Sequence, residues 1–333
     1  MFTIGDISIS NSVVAAPMAG VSDRPYRSLA RKMGAGLAVS EMLTSKPELH
    51  KTSKTQFRMN IASEQAPVSI QLVGTEPDQL ADAARFNEKN GADIIDINMG
   101  CPAKKVCKKL AGSALLENEK LVEQILQAVV NAVDVPVTLK IRTGITPKAK
   151  NAVTIAKIAE ASGVQALTIH GRTRQCRFKG NAEYQTIAKV KQSVAIPIIA
   201  NGDIQTPIKA LEVLNETGAD AVMIGRAAQG QPWLFHQIAE FISHGRIVQE
   251  PSFKQKTQII LDHVRAIHDF YGENLGVKFA RKHIAWYFNY LDSNKLVDRS
   301  VINQQQTQSN QLQHLQFALE KIELFQKTQL PKV

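Results

Sequence analysis

The sequence predicts an α/β protein: a (β/α)8 TIM barrel followed by a small C-terminal all-helical domain. Three observations predict it. Eight short β-branched or apolar runs recur up to about His244, stretches with helical spacing separate them, and beyond Gly245 the strands stop. Continuous apolar runs, as opposed to alternating ones, mark strands buried on both faces of a parallel sheet.

The runs come in order as Val13-Val14-Ala15-Ala16, Leu37-Ala38-Val39-Ser40, Val68-Ser69-Ile70-Gln71-Leu72 and Ile94-Ile95-Asp96-Ile97-Asn98. Val137-Thr138-Leu139-Lys140-Ile141, Ala166-Leu167-Thr168-Ile169-His170, Pro197-Ile198-Ile199-Ala200 and Ala221-Val222-Met223-Ile224 follow. Helical spacing appears between them over Pro77 to Asn90, Glu117 to Val133, Ala149 to Ala161 and Pro207 to Glu216. Gly91, Gly163 and Gly218 each stand just before the next run, where a helix ends in a left-handed residue. Eight such units fit a (β/α)8 barrel better than a doubly wound sheet. No G-x-G-x-x-G follows any run, so a Rossmann dinucleotide site has no support.

The domain boundary is expected at residues 244 and 245, giving a barrel over 1–244 and a helical domain over 245–333. Phe253 to Tyr271, Val277 to Leu291 and Gln311 to Phe325 read as amphipathic helices with no strand between them. From Gly245 onward there are 12 Lys/Arg against 8 Asp/Glu, so the tail is basic. The Gln-rich piece Asn303 to Asn310 reads as a solvated linker or helix end.

With 333 residues, 44% hydrophobic and 21% charged, the composition is globular and excludes a disordered or fibrous chain. The strongest apolar run, around Val194 to Ala200, is far short of the ~18 residues a membrane helix needs. The start MFTIGD has no basic segment with an apolar stretch after it, so no secretory signal is expected. Three cysteines, Cys101, Cys107 and Cys176, cannot all pair, which argues for a reducing, cytoplasmic setting. The formal charge of +10 makes a polyanionic partner plausible without requiring one.

Barrel active sites form at the C-terminal ends of the strands, which turns the runs into a shortlist. The loops after the seventh and eighth runs commonly hold a phosphate, and Gly202, Gly225 and Arg226 stand there. Turn-making alone would also explain the glycines. Lys140 points over the barrel mouth, where a buried ammonium needs an anionic or polarised partner. It could be a Schiff-base nucleophile or a charge that steadies an anionic cofactor ring, and a strand-end lysine with its head in water is the bland alternative. Cys101 follows the fourth run and could act as an acid, its reference pKa of about 8.5 keeping the proton on at neutral pH. Lys104 and Lys105 beside it would tend to lower that pKa, so the loop must aim them elsewhere.

Two acid-free basic stretches leave the same rim. One carries Lys104, Lys105, Lys108 and Lys109; the other carries Arg172, Arg174, Arg177 and Lys179. A phosphate backbone entering the mouth accounts for both, although charge runs are usually a solvated face. The tail adds Lys278, Arg281, Lys282 and His283 beside Trp286 and Tyr287, which could stack bases or serve as core. No metal site is expected.

Ala16-Pro17-Met18-Ala19-Gly20-Val21-Ser22-Asp23-Arg24-Pro25, Asp96-Ile97-Asn98-Met99-Gly100-Cys101-Pro102-Ala103-Lys104-Lys105-Val106 and Leu139-Lys140-Ile141-Arg142-Thr143-Gly144 resemble the tRNA-dihydrouridine synthases. So do His170-Gly171-Arg172-Thr173-Arg174, Asn201-Gly202-Asp203-Ile204 and Ile224-Gly225-Arg226-Ala227. Lys109 to Leu116 and Ala280-Arg281-Lys282-His283 are similar to the family's bacterial B branch. The resemblance covers nearly the whole chain and is loosest after about Leu291.

The resemblance implies an FMN-dependent oxidoreductase that uses NADPH to reduce tRNA uridines to 5,6-dihydrouridine, the D-loop uridine at position 17 being the expected target. Hydride would pass from flavin N5 to C6 of the uracil, and Cys101 would give the proton to C5. Pro17, Met18 and Ala19 would line the flavin ring, with Gln71 and Lys140 at its polar edge. His170, Asn201, Asp203, Gly225 and Arg226 would hold the phosphate, with Gly202 shaping the turn. Asn98 would seat the uracil, and Lys104, Lys105, Arg142, Arg172, Arg174, Arg281 and Lys282 would contact tRNA. NADPH would visit the same flavin face before the RNA arrives. A cytoplasmic monomer with no membrane contact and no obligate protein partner is expected. A flavoenzyme of a free pyrimidine, similar to dihydroorotate dehydrogenase, is the alternative within the same fold. A non-redox RNA-binding barrel or a Schiff-base lyase centred on Lys140 is the alternative outside it.

Overall fold

Parallel pairing begins at Val13 in the computed structural model, which describes residues 2–46 and 52–329. Before it, β1 (Phe2–Ile4) and β2 (Ile7–Ile9) form an antiparallel hairpin with Ile4 opposite Ile7. The strands that follow are β3 (Val13–Ala15), β4 (Leu37–Ala38), β5 (Leu43–Thr44), β6 (Ser69–Val73) and β7 (Ile94–Met99). They continue as β8 (Val137–Arg142), β9 (Ala166–His170), β10 (Ile198–Asn201) and β11 (Ala221–Ile224).

These nine pieces are eight barrel strands, because β4 and β5 are two halves of the second. The sheet runs β4-β3-β11-β10-β9-β8-β7-β6-β5, every neighbour parallel. A parallel bridge from Val39 to Ser69 and the Ser40 N–H bond to the Ser69 carbonyl (3.0 Å) join the end of β4 to β6. The ring therefore closes on itself and leaves no open edge, as a barrel must. All eight runs expected from the sequence are strands here.

A helix follows each strand. These are α1 (Arg24–Lys32), α2 (Ser53–Met59), α3 (Pro77–Lys89), α5 (Glu119–Val130), α6 (Ala152–Ala161), α7 (Gln185–Lys191), α8 (Pro207–Thr217) and α9 (Leu234–His244), with a short extra α4 (Lys104–Cys107) after β7. Their starts are written in the sequence. Asp23, Asn118 and Thr206 accept N-cap bonds from Tyr26, Leu121 and Lys209, and proline opens α1, α3 and α8. The hairpin's Phe2, Ile4 and Ile9 join Leu37, Ile94, Ala166, Ile199 and Ala221 in one buried apolar cluster. The hairpin thereby closes the end of the barrel where the strands begin, and the opposite end is left for chemistry.

The chain divides into two compact units, Met1–Ala227 with Leu234–Ile247, and Ala228–Trp233 with Val248–Val333. The division falls three residues later than the sequence boundary, and Ala228–Trp233 belongs with the helices. Within that unit Trp233 meets Tyr290 edge-on at 5.5 Å, and the Lys256 ammonium lies 5.3 Å from the Trp233 ring. The helices are α10 (Phe253–Leu291), α11 (Arg299–Asn303) and α12 (Gln308–Gln329). The first two helices expected from the sequence are one element kinked at Gly272 (φ 74°, ψ 177°). The Gln-rich piece Asn303 to Asn310 runs from the end of α11 to the first turn of α12, with no residue of it buried. Gln311, just beyond it, is buried: its Oε1 accepts from His268 Nε2 at 2.7 Å and its Nε2 donates to the Val277 carbonyl at 3.1 Å, tying α12 to both halves of α10.

Candidate active site

The strand ends at the open mouth bring most of the shortlisted residues together. A line of buried hydrogen bonds runs across them. Thr138 of β8 donates to Asp96 of β7 (2.6 Å), and Asp96 accepts from the Gln71 amide of β6 (2.7 Å). Gln71 Oε1 accepts from Asn98 Nδ2 (2.7 Å), and Asn98 Oδ1 takes the N–H groups of Cys101 (2.9 Å) and Gly100 (3.2 Å). Alternation along β6, β7 and β8 aims these side chains inward, since residues two apart on a strand share a face. The line ends on the backbone of the cysteine.

That loop is fixed from three further directions. Ser113 donates its N–H (3.1 Å) and its hydroxyl (2.9 Å) to the Cys101 carbonyl, and Arg142 Nε donates to the Gly100 carbonyl (2.8 Å). Gly112, at φ +62°, stands so near that an added Cβ would lie 2.8 Å from the Cys101 carbonyl oxygen. Cys101 keeps partial exposure. Burial pushes its thiol up, against the Ala103 backbone N–H, Arg142 and Lys105, which pull the other way. The proton stays on at neutral pH. Lys104 and Lys105 are exposed on α4, and the pull of Lys105 on the thiol is outweighed by burial.

The neighbouring strands supply the cationic side. Lys140 is half-buried, and its one hydrogen bond among the described residues goes to Asn201 Oδ1 (3.1 Å). Burial, then Arg142, pushes its ammonium down to about 8, with Asp96 pulling upward. Asn201 Oδ1 also meets His170 Nδ1 (2.8 Å), and Asn201 Nδ2 donates to the Met223 carbonyl. An amide oxygen only accepts, so His170 carries its proton on Nδ1 and presents Nε2 as an acceptor, towards Arg172 at 3.4 Å. Burial and three nearby cations push that imidazole down to about 3, so it is neutral at every ordinary pH.

Asp203, at φ +51°, pairs with Arg172 (2.5 Å), accepts the Ala182 N–H (2.8 Å) and lies 3.7 Å from Arg226. Its carboxyl is held below the usual range by those partners despite some burial. Gly202 (φ +126°) allows the turn: a Cβ there would come 2.8 Å from that of Ala182. Arg226 is largely exposed, and a Cβ added at Gly225 would lie 3.6 Å from Ala16 Cβ and Met18 Sδ. Pro17 and Met18 are half-buried and Ala19 is exposed. Ser22 Oγ takes the Met18 N–H (2.7 Å) and the buried Glu41 takes the Gly20 N–H (2.7 Å), which sets that turn.

Three residues expected to face tRNA do other work here. Arg142 is 3% exposed and Arg172 4%; backbone carbonyls take the donors of Arg142, and carbonyls together with Asp203 take those of Arg172. Arg142 NH1 donates to Thr173 and Arg177 (3.1 and 2.7 Å), while Arg172 donates to Lys179 and Gly180 (3.2 and 2.5 Å). Both are internal posts of the mouth; a buried guanidinium is tolerated only when so satisfied. Arg174 is paired with Glu117 at 2.5 Å, linking two loops. Asn98, assigned to the uracil, spends its oxygen and one Nδ2 hydrogen on the cysteine loop and Gln71. Arg281 and Lys282 sit half-buried in the helical unit, Arg281 donating to Gln305 and the Lys282 ammonium 5.0 Å from the Phe279 ring. Sequence reading missed Ser113, Asp96 and Thr138. All three are short polar residues within or beside apolar runs, and that is their one visible signal.

Among the described residues no group of three or more His, Cys, Asp or Glu side chains could hold a metal ion, and no helix is long and apolar enough to cross a membrane.

Comparison with solved structures places the barrel among known ones. A 2-naphthoyl-CoA reductase complex superposes with a TM-score of 0.55 at 14% identity, over 72% of this chain and 51% of that one. An old yellow enzyme homologue from Zymomonas mobilis gives 0.51 at 14% identity, over 77% and 94%. Sequence comparison goes further. A tRNA-dihydrouridine synthase B from Proteus vulgaris is 58% identical over 85% of this chain and 88% of its own, and one from Yersinia pestis is 52% identical over 96% and 99%. The one from Xanthomonas axonopodis pv. citri is 54% identical over 93% of each. The model of the dihydrouridine synthase family matches residues 13–324, the span that holds the cysteine loop, the Lys140–Asn201–His170 cluster and the helical unit alike; the chain belongs to that family.

Proposed function

We propose that the protein reduces the C5–C6 bond of a uridine in tRNA, position 17 of the D-loop, to 5,6-dihydrouridine in the cytoplasm, with bound FMN and with NADPH as reductant. One observation carries the reading: a protonated thiol on a loop fixed by Asn98, Ser113 and Arg142 stands on the same strand ends as the under-used Lys140 ammonium.

The mouth suits an anionic flavin. Lys140 spends one of its donors on Asn201 and carries a charge that burial disfavours, so a negative ring edge beside it relieves that cost. Arg226 is exposed, with one long ion pair, and stands where barrel precedent puts a phosphate. Bound FMN would supply the hydride. Gln71 and Lys140 would meet the polar edge of its ring, and Pro17, Met18 and Ala19 one side of it. Asn201, His170 Nε2, Asp203, Gly225 and Arg226 would surround its phosphate, through the turn at Gly202.

Cys101 holds the proton for C5 and gives it from the loop opposite, the thiol being neutral until the carbon demands it. The uridine must leave its stack to reach it, at a cost of a few kcal/mol that phosphate contacts offset. Exposed Lys104, Lys105, Lys108 and Lys109 on the barrel would supply such contacts, as would Arg281 and Lys282 of the helical unit. We take the enzyme to act as a monomer. Membership of the family leaves the free-pyrimidine and Schiff-base alternatives without a supporting observation.

The test is direct. The purified protein should carry flavin absorbance, and with NADPH and an unmodified tRNA transcript it should add two hydrogens to a D-loop uridine, located by mass mapping. A protein that turns over NADPH yet leaves every uridine unchanged contradicts the reading.

A further inference from the structure

Phe178 is 55% exposed at the apex of the loop between β9 and α7. Its backbone is not loose. The carbonyl before it, Arg177, accepts from the buried Arg142, and those after it, Lys179 and Gly180, accept from the buried Arg172. Arg177 itself adopts φ +52°, a left-handed conformation that costs a non-glycine residue energy. Two buried guanidiniums and a strained residue thus hold an apolar ring out in water. A single exposed apolar side chain is ordinary; what sets this one apart is the fixed backbone beneath it and the cations around it.

What surrounds the ring says what covers it. The Arg226 and Arg142 guanidiniums lie over it at 5.1 and 5.3 Å, and His170 meets it edge-on at 6.3 Å. Exposed Arg177 and Lys179 flank it in the chain. A flat, electron-rich surface among cations matches a base with its phosphates, the pairing by which proteins grip unpaired nucleotides. Arg142 also holds the Gly100 carbonyl, so ring and cysteine loop rest on one post.

We propose that Phe178 is a stacking platform for the nucleobase next to the target uridine. Extrusion of the uridine removes that neighbour's stacking partner, and Phe178 replaces it, keeping the opened strand at the mouth while Cys101 acts. The inference rests on tRNA being the substrate; it adds a positioning residue that touches the flanking base.

The experiment measures binding of unmodified tRNA to flavin-loaded wild type and to Phe178→Leu, Phe178→Tyr and Phe178→Trp, together with flavin content and Tm. Leucine keeps apolar bulk without a π face, so its tRNA Kd should rise about ten-fold, while Tyr and Trp hold the wild-type value and flavin content stays constant. A tRNA lacking the flanking base should bind the wild type about ten-fold more weakly and show no further loss with Phe178→Leu. Wild-type affinity in Phe178→Leu, or loss of flavin from it, overturns the proposal, the latter by making the ring a cover for the cofactor. If the wild type itself binds no tRNA, the substrate reading fails first and the proposal with it.

Discussion

Lys140 keeps its charge in surroundings that disfavour it. Its pKa is pushed from 10.5 to about 8 by burial and by Arg142. Below pH 8 the folded and unfolded chains both hold the proton, so the fold bears the whole cost of the buried ammonium. Between pH 8 and 10.5 the unfolded chain binds more protons, and stability from this group rises with pH. Lys140→Met should therefore raise the Tm of the flavin-free protein at pH 7, by about 2–4 °C, and cost it flavin retention. Scanning calorimetry and flavin release measure the two; a variant that loses both stability and flavin would make Lys140 structural. His170 acts with the same sign in acid: its folded pKa of about 3 lies below 6.5, so its share of stability is full above pH 6.5 and is lost as the pH falls towards 3. The charge of Lys140 was legible in the sequence as a lysine in an apolar run. The burial of Arg142 and Arg172 was not, because the carbonyls that satisfy Arg142 lie on other loops and those that satisfy Arg172 on a loop that folds back over it, which no local pattern shows.

The segment from β7 through α4 to the 3-10 turn Gly112–Glu117 is the element on which the chemistry depends. Its position comes from Asn98 at one end and Ser113 at the other, with Gly112 passing closely behind the Cys101 carbonyl. Gly112→Ala forces a methyl into that carbonyl at a positive φ. Turnover should fall by at least about ten-fold while flavin content is kept, read by single-turnover dihydrouridine formation. Unchanged turnover would show that the loop is not held as described. The eight strands and their helices could be read from sequence because apolar runs, proline starts and glycine ends agree locally. The first hairpin was missed although Phe2, Ile4, Ile7 and Ile9 alternate around Gly5-Asp6, a two-residue turn signal. Its strands have three residues each, too few for periodicity to stand out. Gln311 was read as the start of the last helix, but nothing local reveals that it is buried against His268 and Val277.

At the scale of the molecule, a closed parallel barrel leaves polar chemistry one place to collect, and a formal charge of +10 favours a polyanion. The basic rim predicts counterion release: tRNA affinity should fall by at least about 100-fold between roughly 50 and 200 mM salt. A flat response, measured by filter binding, would leave the exposed lysines of α4 without a role. The barrel was legible because its repeat is written eight times. The extent of the helical unit was less so, since Ala228–Trp233 joins it through Trp233, which no local pattern distinguishes from a barrel helix start. Everything above converges on one sulfur. The most direct measurement is the rate at which pre-reduced, flavin-loaded Cys101→Ala converts tRNA uridine in a single turnover, beside the wild type. A fall of about 100- to 10,000-fold with flavin fully retained is the predicted result. Conversion at the wild-type rate would mean that the proton comes from elsewhere.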